Sequence, residues 1–365
     1  MGRYRMVSLR VITIGIICIQ CWGFGYKRSI TIDHTKCGSG DSTNFPVLVY
    51  ISDATFKTVG NGGHVQSSSG NDILFYSDSG GTTQIASEID GYTATTGVVY
   101  AWVKVSTLSV SSDTVIYVFY GDSSPPSRTT GAWNSNFRGV WHFGDGSSVT
   151  NTDSSGNSHT LTNNNVTATT GQIYGAGSYN GTTAYMTLTP DSNLKPATLS
   201  VSMWAKFTNS ISTEYPTMMG TGASIAWMWY HTGSTLYESI GNYSYYAYNS
   251  TTSWGGTWKH IVMTSSSSTN VKVYINGSLS KTGSATPTID YTNSGEFSIG
   301  RYTGVSGYFT GVIDEVHVVG SELSSSWITA EYNNQNSPST FITLGAETAL
   351  GGGGRYRLPM MGVGA

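Results

Sequence analysis

The residues best suited to recognition chemistry in this chain are aromatic. Trp227, Trp229, Tyr230, Tyr243, Tyr245, Tyr246, Tyr248 and Trp254 crowd into one stretch. Flat rings with a polar edge stack on the C–H faces of sugars, and the Asn and Ser residues between them supply hydrogen bonds. Alternate residues of a strand share a face. Trp227 therefore goes with Trp229, and Tyr243 with Tyr245, while Tyr246 and Tyr248 take the face opposite to the latter pair. One face of each strand must build a core, so at least half of these rings are expected inside. The pattern leaves open which half.

Polar candidates for catalysis are sparse. Cys18 and Cys21 have C-x-x-C spacing, but a zinc site needs two further ligands and no second pair exists. Cys37 stands alone. No G-x-S-x-G, H-E-x-x-H or phosphate-loop string occurs, and the seven His are scattered without a partner pattern. Residues 153–157, DSSGN, form a turn with oxygen-bearing side chains. Asp314 and Glu315 are adjacent, so a regular strand sends them to opposite faces.

Composition limits what can position these residues. Charged residues make up 11% of the 365, and the net charge is −3. That lacks the basic footprint nucleic acid requires. It also lacks the Glu/Lys lacing of exposed helices. The 45 Gly, 24 Tyr and 10 Trp instead fit many short strands joined by turns. At the start, Arg3, Arg5 and Arg10 precede an apolar run over 11–19. This is the pattern of an export signal, too short for a bilayer span of roughly 20 residues.

The clearest elements lie in residues 258–281, where WKHIVMT and VKVYINGSLSK alternate apolar and polar residues. Asn276-Gly277 is a hairpin turn, since both residues tolerate positive φ. Three antiparallel strands follow. Before them, strands are expected over 26–32, 46–51, 73–76, 98–105 and 114–120, closing at the Pro-rich breaker 121–128. A second unit starts near 136 with strands at 139–143, 185–188 and 199–207, and continues past the hairpin with 295–301 and 309–318. Trp327, Ile328, Glu331 and Tyr332 set a single short helix near the C-terminus. The expected organisation is a leader over 1–24, a β-sandwich over 25–130, a second sandwich over 136–346 and a Gly-rich tail over 347–365.

The second unit resembles the laminin-G-like jelly rolls of the concanavalin A-like lectin/glucanase superfamily. The resemblance rests on WHF, DSSGN, GAGSYNG, LSVSMWAKF, WKHIVMT, VKVYINGSL, FSIGRY and FTGVIDEVHV, in that order. The first unit resembles domain of unknown function 2341 through YKRSITIDHTK, FPVLVYISD, EIDGYTATTGVVYAWVKV and VIYVFYGD. The resemblance implies an all-β chain of two sandwiches, the second a concanavalin A-like jelly roll. It also implies carbohydrate or adhesion duties in an exported, cell-surface or virion-borne protein. Glycans are the expected partners, with a structural role in a surface or phage-tail assembly as the first alternative and a glycan-active hydrolase as the second.

The superfamily's glucanases carry a Glu-x-Asp-x-x-Glu strand whose alternating carboxylates hydrolyse the glycosidic bond. Glu88-Ile-Asp90 is the nearest string, but Thr93 replaces the second Glu and the string lies in the first unit. A non-catalytic protein is therefore expected. The resemblance also implies Ca²⁺ held by Asp153, Asn157 and Asp314, because calcium gathers six to eight oxygens. Trp141, Trp204 and Trp258 match family positions expected in the core.

Overall fold

The computed structural model describes residues 23–208, 213–221, 224–241, 245–251, 254–266, 269–283, 288–292, 294–302 and 307–351. Tyr243, residues 1–22 of the expected leader with Cys18 and Cys21, and the tail from 352 lie outside the described residues. So do the side chains of Tyr245, Tyr246 and Tyr248.

The described residues form four antiparallel sheets. A five-stranded sheet runs in the order Ile342–Leu344, Tyr26–Ile32, Thr114–Tyr120, Leu74–Tyr76, with Thr348–Ala349 also paired to Tyr26–Ile32. A three-stranded sheet consists of Ser42–Ser52, Val98–Leu108 and Ser87–Thr93. Ile30, Ile32, Ile116 and Val118 of the first meet Val47, Val49, Val99 and Val103 of the second in one apolar cluster. Period-two alternation places those residues on facing sides.

The larger unit is a jelly roll of two sheets. Its eight-stranded sheet orders Ser278–Thr282, Thr269–Ile275, Trp258–Ser266, Leu199–Phe207, Thr310–Val319, Gly175–Asn180 and Thr167–Thr170, with Phe137–Trp141 paired to Thr310–Val319. Its seven-stranded sheet orders Tyr245–Ser250, Thr235–Ile240, Ser224–Thr232, Glu214–Thr221, Phe297–Ile299, Tyr185–Leu188 and Thr162–Asn164. Trp141, Val201, Met203, Ile261 and Met263 pack against Met219, Trp227, Trp229 and Phe297 between the sheets. The 258–282 hairpins form as the sequence predicts. Asn276 and Gly277 both take positive φ, 50° and 76°.

The chain end differs from the expected boundaries. Ile342–Leu344 and then Thr348–Ala349 pair with Tyr26–Ile32, so both join the first unit's sheet. Glu347 lies between them, accepting from the Tyr120 hydroxyl at 2.6 Å. At the other end, Phe24, the last residue of the expected leader, is buried against Tyr76 and Phe119 of the first unit's sheet. Trp258, expected in the core, is only half-buried beneath the Lys206 ammonium at 5.1 Å.

The helix Ser325–Asn336 is the brace between units. The Ser324 hydroxyl caps it by accepting from Trp327 N. Trp327 packs on Phe45 of the first unit, with ring centroids 4.6 Å apart. On its other side the Gln335 side chain accepts from Trp204 Nε1 at 2.6 Å. Asn334 bonds both Leu48 N (2.7 Å) and Leu48 O (2.9 Å). A side chain thus satisfies the exposed edge of Ser42–Ser52 as another strand would, which blunts that edge.

Candidate functional site

The sequence-predicted aromatic set divides at the jelly-roll core. Trp227 and Trp229 are fully buried between the sheets, and Trp254 is 7% exposed against Phe207. These three tryptophans are not a sugar platform. The register explains why: Trp227 pairs with Ile240 and Trp229 with Glu238, all on the inner side. Tyr230 takes the opposite side and is half-buried. Residues 246 and 248 register opposite Ser239 and Tyr237, and residue 245 opposite Ile240.

Around Tyr230 the structure builds a tyrosine ladder on the outer side of the seven-stranded sheet. Tyr230 stacks on Tyr237 with centroids 4.7 Å apart and planes 8° from parallel. Tyr215 lies 5.9 Å beyond Tyr230, and Tyr302 lies 4.7 Å beyond Tyr215. Beneath them Met218 and Met228 form a small cluster separate from the sandwich core. At the far side of the sheet the Arg301 guanidinium lies 3.7 Å over Tyr185 and pairs with Glu296 at 3.0 Å. Tyr237 belongs with the aromatic candidates of the sequence, whereas Tyr215 and Tyr302 do not stand out there.

The expected calcium ligands do not present a common set of oxygens. Asp153 is fully buried, and its Oδ1 accepts from Val140 N and Ser155 N. Its Oδ2 accepts from the Ser155 hydroxyl and His159 N. Four donors fill the four lone-pair directions of the carboxylate, so Asp153 holds the DSSGN turn closed. Asn157 directs its Nδ2 at the Phe137 and Arg138 carbonyls. Asp314 faces a different group of residues altogether.

That group lies at the junction of the two units. It forms because two strands bulge toward each other. In Thr310–Val319 the register against Leu199–Phe207 slips between Ser202 and Trp204, and Glu315 takes φ +49°. The slip turns Asp314 and Glu315 to the same outer side, against the expectation for adjacent strand residues. In Ser87–Thr93 the register slips between Ile89 and Gly91, next to Asp90. His142 follows the strand Phe137–Trp141 and lies under the Trp102 ring, 5.7 Å away and 20° from parallel.

The junction is an alternating row of acids and imidazoles. Both Glu315 oxygens meet His142 Nδ1, at 2.8 and 2.9 Å, and Oε2 also meets His317 Nε2 at 3.1 Å. His317 Nδ1 meets Glu331 of the helix at 3.2 Å. Glu331 Oε1 also accepts from the Ser202 hydroxyl at 3.0 Å and lies 3.8 Å from His260 Nε2. Glu88, 31% exposed, accepts from the Ser154 hydroxyl and Trp133 Nε1 and lies 3.9 Å from His142 Nε2.

The charge states follow from this packing. Burial raises the Asp90 carboxyl to about 7 against the pull of His142. Burial and the neighbouring Glu315 push Asp314 well above the usual carboxylate range. Burial also opposes ionisation of Glu315 and Glu331, but imidazole partners prevail and hold both low. Burial disfavours the charged His142 ring, yet Glu315 and Asp90 raise its pKa. Beside the junction a cleft of about 600 Å³ opens between the units, with Glu88, Arg128, Asn71 and Ser154 in its wall. Of the acids here, Glu88, Asp90, Asp314 and Glu315 stand out in the sequence, and Glu331 only as a helix position. The histidines come together only through the fold.

Fold and junction together define an all-β protein of two fused units, the larger a jelly roll. Residues 69–160 match domain of unknown function DUF2341, and residues 180–329 match the concanavalin A-like lectin/glucanases superfamily. No curated relative matches the chain. Among solved structures it is similar to the receptor-binding domain of botulinum neurotoxin type G, at 16% identity and TM-score 0.44, over 55% of this chain and 51% of that one. The serotype D binding domain gives 16% identity and TM-score 0.47, over 55% and 52%. Domain 4 of AbnA, a GH43 extracellular arabinanase from Geobacillus stearothermophilus in complex with arabinotriose, gives 23% and 0.42, over 53% and 97%. The chain thus spans about half the length of the neurotoxin domains it matches.

Proposed function

We propose that this chain is a non-catalytic carbohydrate-binding protein, exported to a surface or carried on a virion. Its contact face is the outer side of the seven-stranded sheet. One observation carries the reading. The outer side of the eight-stranded sheet is covered by the helix and the first unit through Trp204, His260, Glu315 and His317. The seven-stranded sheet turns its tyrosine ladder the other way. Tyr230 and Tyr237 stack on each other and are half-buried, and their remaining ring area with its phenolic edges suits sugar rings. Arg301 and Glu296, at the far side of the same sheet, offer polar contacts.

A glycan array of the purified chain tests the reading. Binding to a defined glycan class is expected, with the signal lost in Tyr230→Ala/Tyr237→Ala. A blank array, with the chain assembling into higher oligomers, gives the structural role instead. Release of sugar from any array glycan sinks the non-catalytic reading.

A further inference from the structure

We propose that the junction of the two units binds a divalent transition-series cation through Asp90, His142 and Glu315. One ligand atom from each of these residues lies within 4.8 Å of the others. Ligands at metal distances of 2.0–2.2 Å lie about 3.4 Å apart around a tetrahedral ion, so small side-chain shifts bring these atoms onto one centre. The residues come from three separate strand regions, one of them in the first unit. The site is therefore complete only when the units are joined.

Polar atoms around this centre lack the partners that buried groups ordinarily have. Asp314 is fully buried; its Oδ2 accepts from Ile173 N, while Oδ1 has no hydrogen bond. That oxygen belongs to the residue next to Glu315, turned to the same outer side by the bulge. Asp90 Oδ2 and Trp102 Nε1 are both buried without a hydrogen bond. His142 is 6% exposed, and its Nε2 makes no hydrogen bond, with Glu88 at 3.9 Å.

Nδ1 of His142 is the ligating nitrogen, because it already faces Glu315. A cation there replaces the proton between them. The Nε2–H then points to Glu88, which Ser154 and Trp133 already anchor, and a carboxylate on the far nitrogen is the usual orienting partner of a metal-bound imidazole. One imidazole with carboxylates suits Zn²⁺ or Mn²⁺. Calcium and magnesium prefer all-oxygen sets.

The test uses the full chain, stripped with a chelator and titrated separately with ZnCl₂, MnCl₂ and CaCl₂. Bound metal is read by elemental analysis and the melting temperature by scanning. One Zn²⁺ or Mn²⁺ per chain and a raised melting temperature are expected, with no shift from Ca²⁺ at equal concentration. Asp90→Asn, which keeps the side-chain shape, is expected to weaken uptake by more than about tenfold. Bound Mn²⁺ is also expected to show nitrogen coupling by electron paramagnetic resonance in the wild type, a readout that does not depend on the variant folding. No uptake by the wild type, unchanged uptake by Asp90→Asn, or Mn²⁺ without a nitrogen ligand would each overturn the proposal.

Discussion

Glu315 and His142 are 173 residues apart in sequence, and their side chains meet at 2.8 Å. The contact joins the strand Thr310–Val319 to the residue after Phe137–Trp141, and from it the row of acids and imidazoles continues to the helix. The junction is thus a polar seam closed over by Trp102 and Trp133, whose rings lie within 6 Å of His142. Such a seam tolerates no loss of one partner, because the other is left buried and unpaired.

Glu331 is the first place to test this. Its carboxyl holds the helix to the jelly roll through Ser202, His317 and His260. Glu331→Ala is expected to destabilise the chain by about 3 kcal/mol, the range for breaking a buried ionic contact, read as a shift in urea midpoint. The folded pKa of Glu331 is depressed. Its stabilisation is therefore fully present above the unfolded value of about 4.3 and is lost as pH falls through the folded value. The wild-type midpoint should fall below pH 4.3 more steeply than that of the variant. Parallel pH profiles would show that Glu331 does not anchor the helix.

The two aromatic sides of Ser224–Thr232 should respond in opposite ways. Trp229 fills the sandwich core, so Trp229→Ala should cost about 3–5 kcal/mol by thermal or urea unfolding. Tyr237 is half-buried on the outer side, and Tyr237→Ala should cost about 1 kcal/mol or less. Equal losses would mean that the ladder is core and not a contact face.

Gly277 tests the docking of the hairpin on the helix. It sits at φ +76°, its carbonyl accepts from the Thr329 hydroxyl at 2.9 Å, and an added Cβ would lie 2.9 Å from Tyr332 Cβ. Gly277→Ala meets both a strained backbone and a close contact, so a loss above about 1 kcal/mol is expected. A neutral substitution would place the hairpin away from Tyr332.

Cys37 should be inert in the folded protein. It is buried, its Sγ lies 3.3 Å from the Asp33 carbonyl, and burial pushes its thiol up to about 12. The thiolate is the reactive form. Peptide mapping after alkylation at pH 8 should find Cys37 unmodified in native protein and fully modified in denaturant. Fast native labelling would contradict the first unit's packing.

Much of this architecture is legible in the chain. Alternation over 258–281 defines three strands, and Asn276-Gly277 defines the turn between two of them, because period and positive φ are local properties. The seam is hidden for the opposite reason. A bulge at Glu315 and another beside Asp90 break the period that sequence reading relies on, and nothing local marks either slip. The same limit applies to Trp227 and Trp229. Their alternation shows a strand with two faces, but only the register with Ile240 and Glu238 shows which face is inside. Asp153 was read for its oxygens, whereas the backbone N–H groups that occupy them are set by the three-dimensional turn.

The outer tyrosines bear the account's main functional claim, and affinity measures it most directly. A glycan selected on the array should be titrated calorimetrically against the wild type and against Tyr230→Ala/Tyr237→Ala. A loss of affinity of about tenfold or more, 1.4 kcal/mol, with the melting temperature kept within a few degrees, is the predicted result. Unchanged affinity in a folded double variant would contradict it.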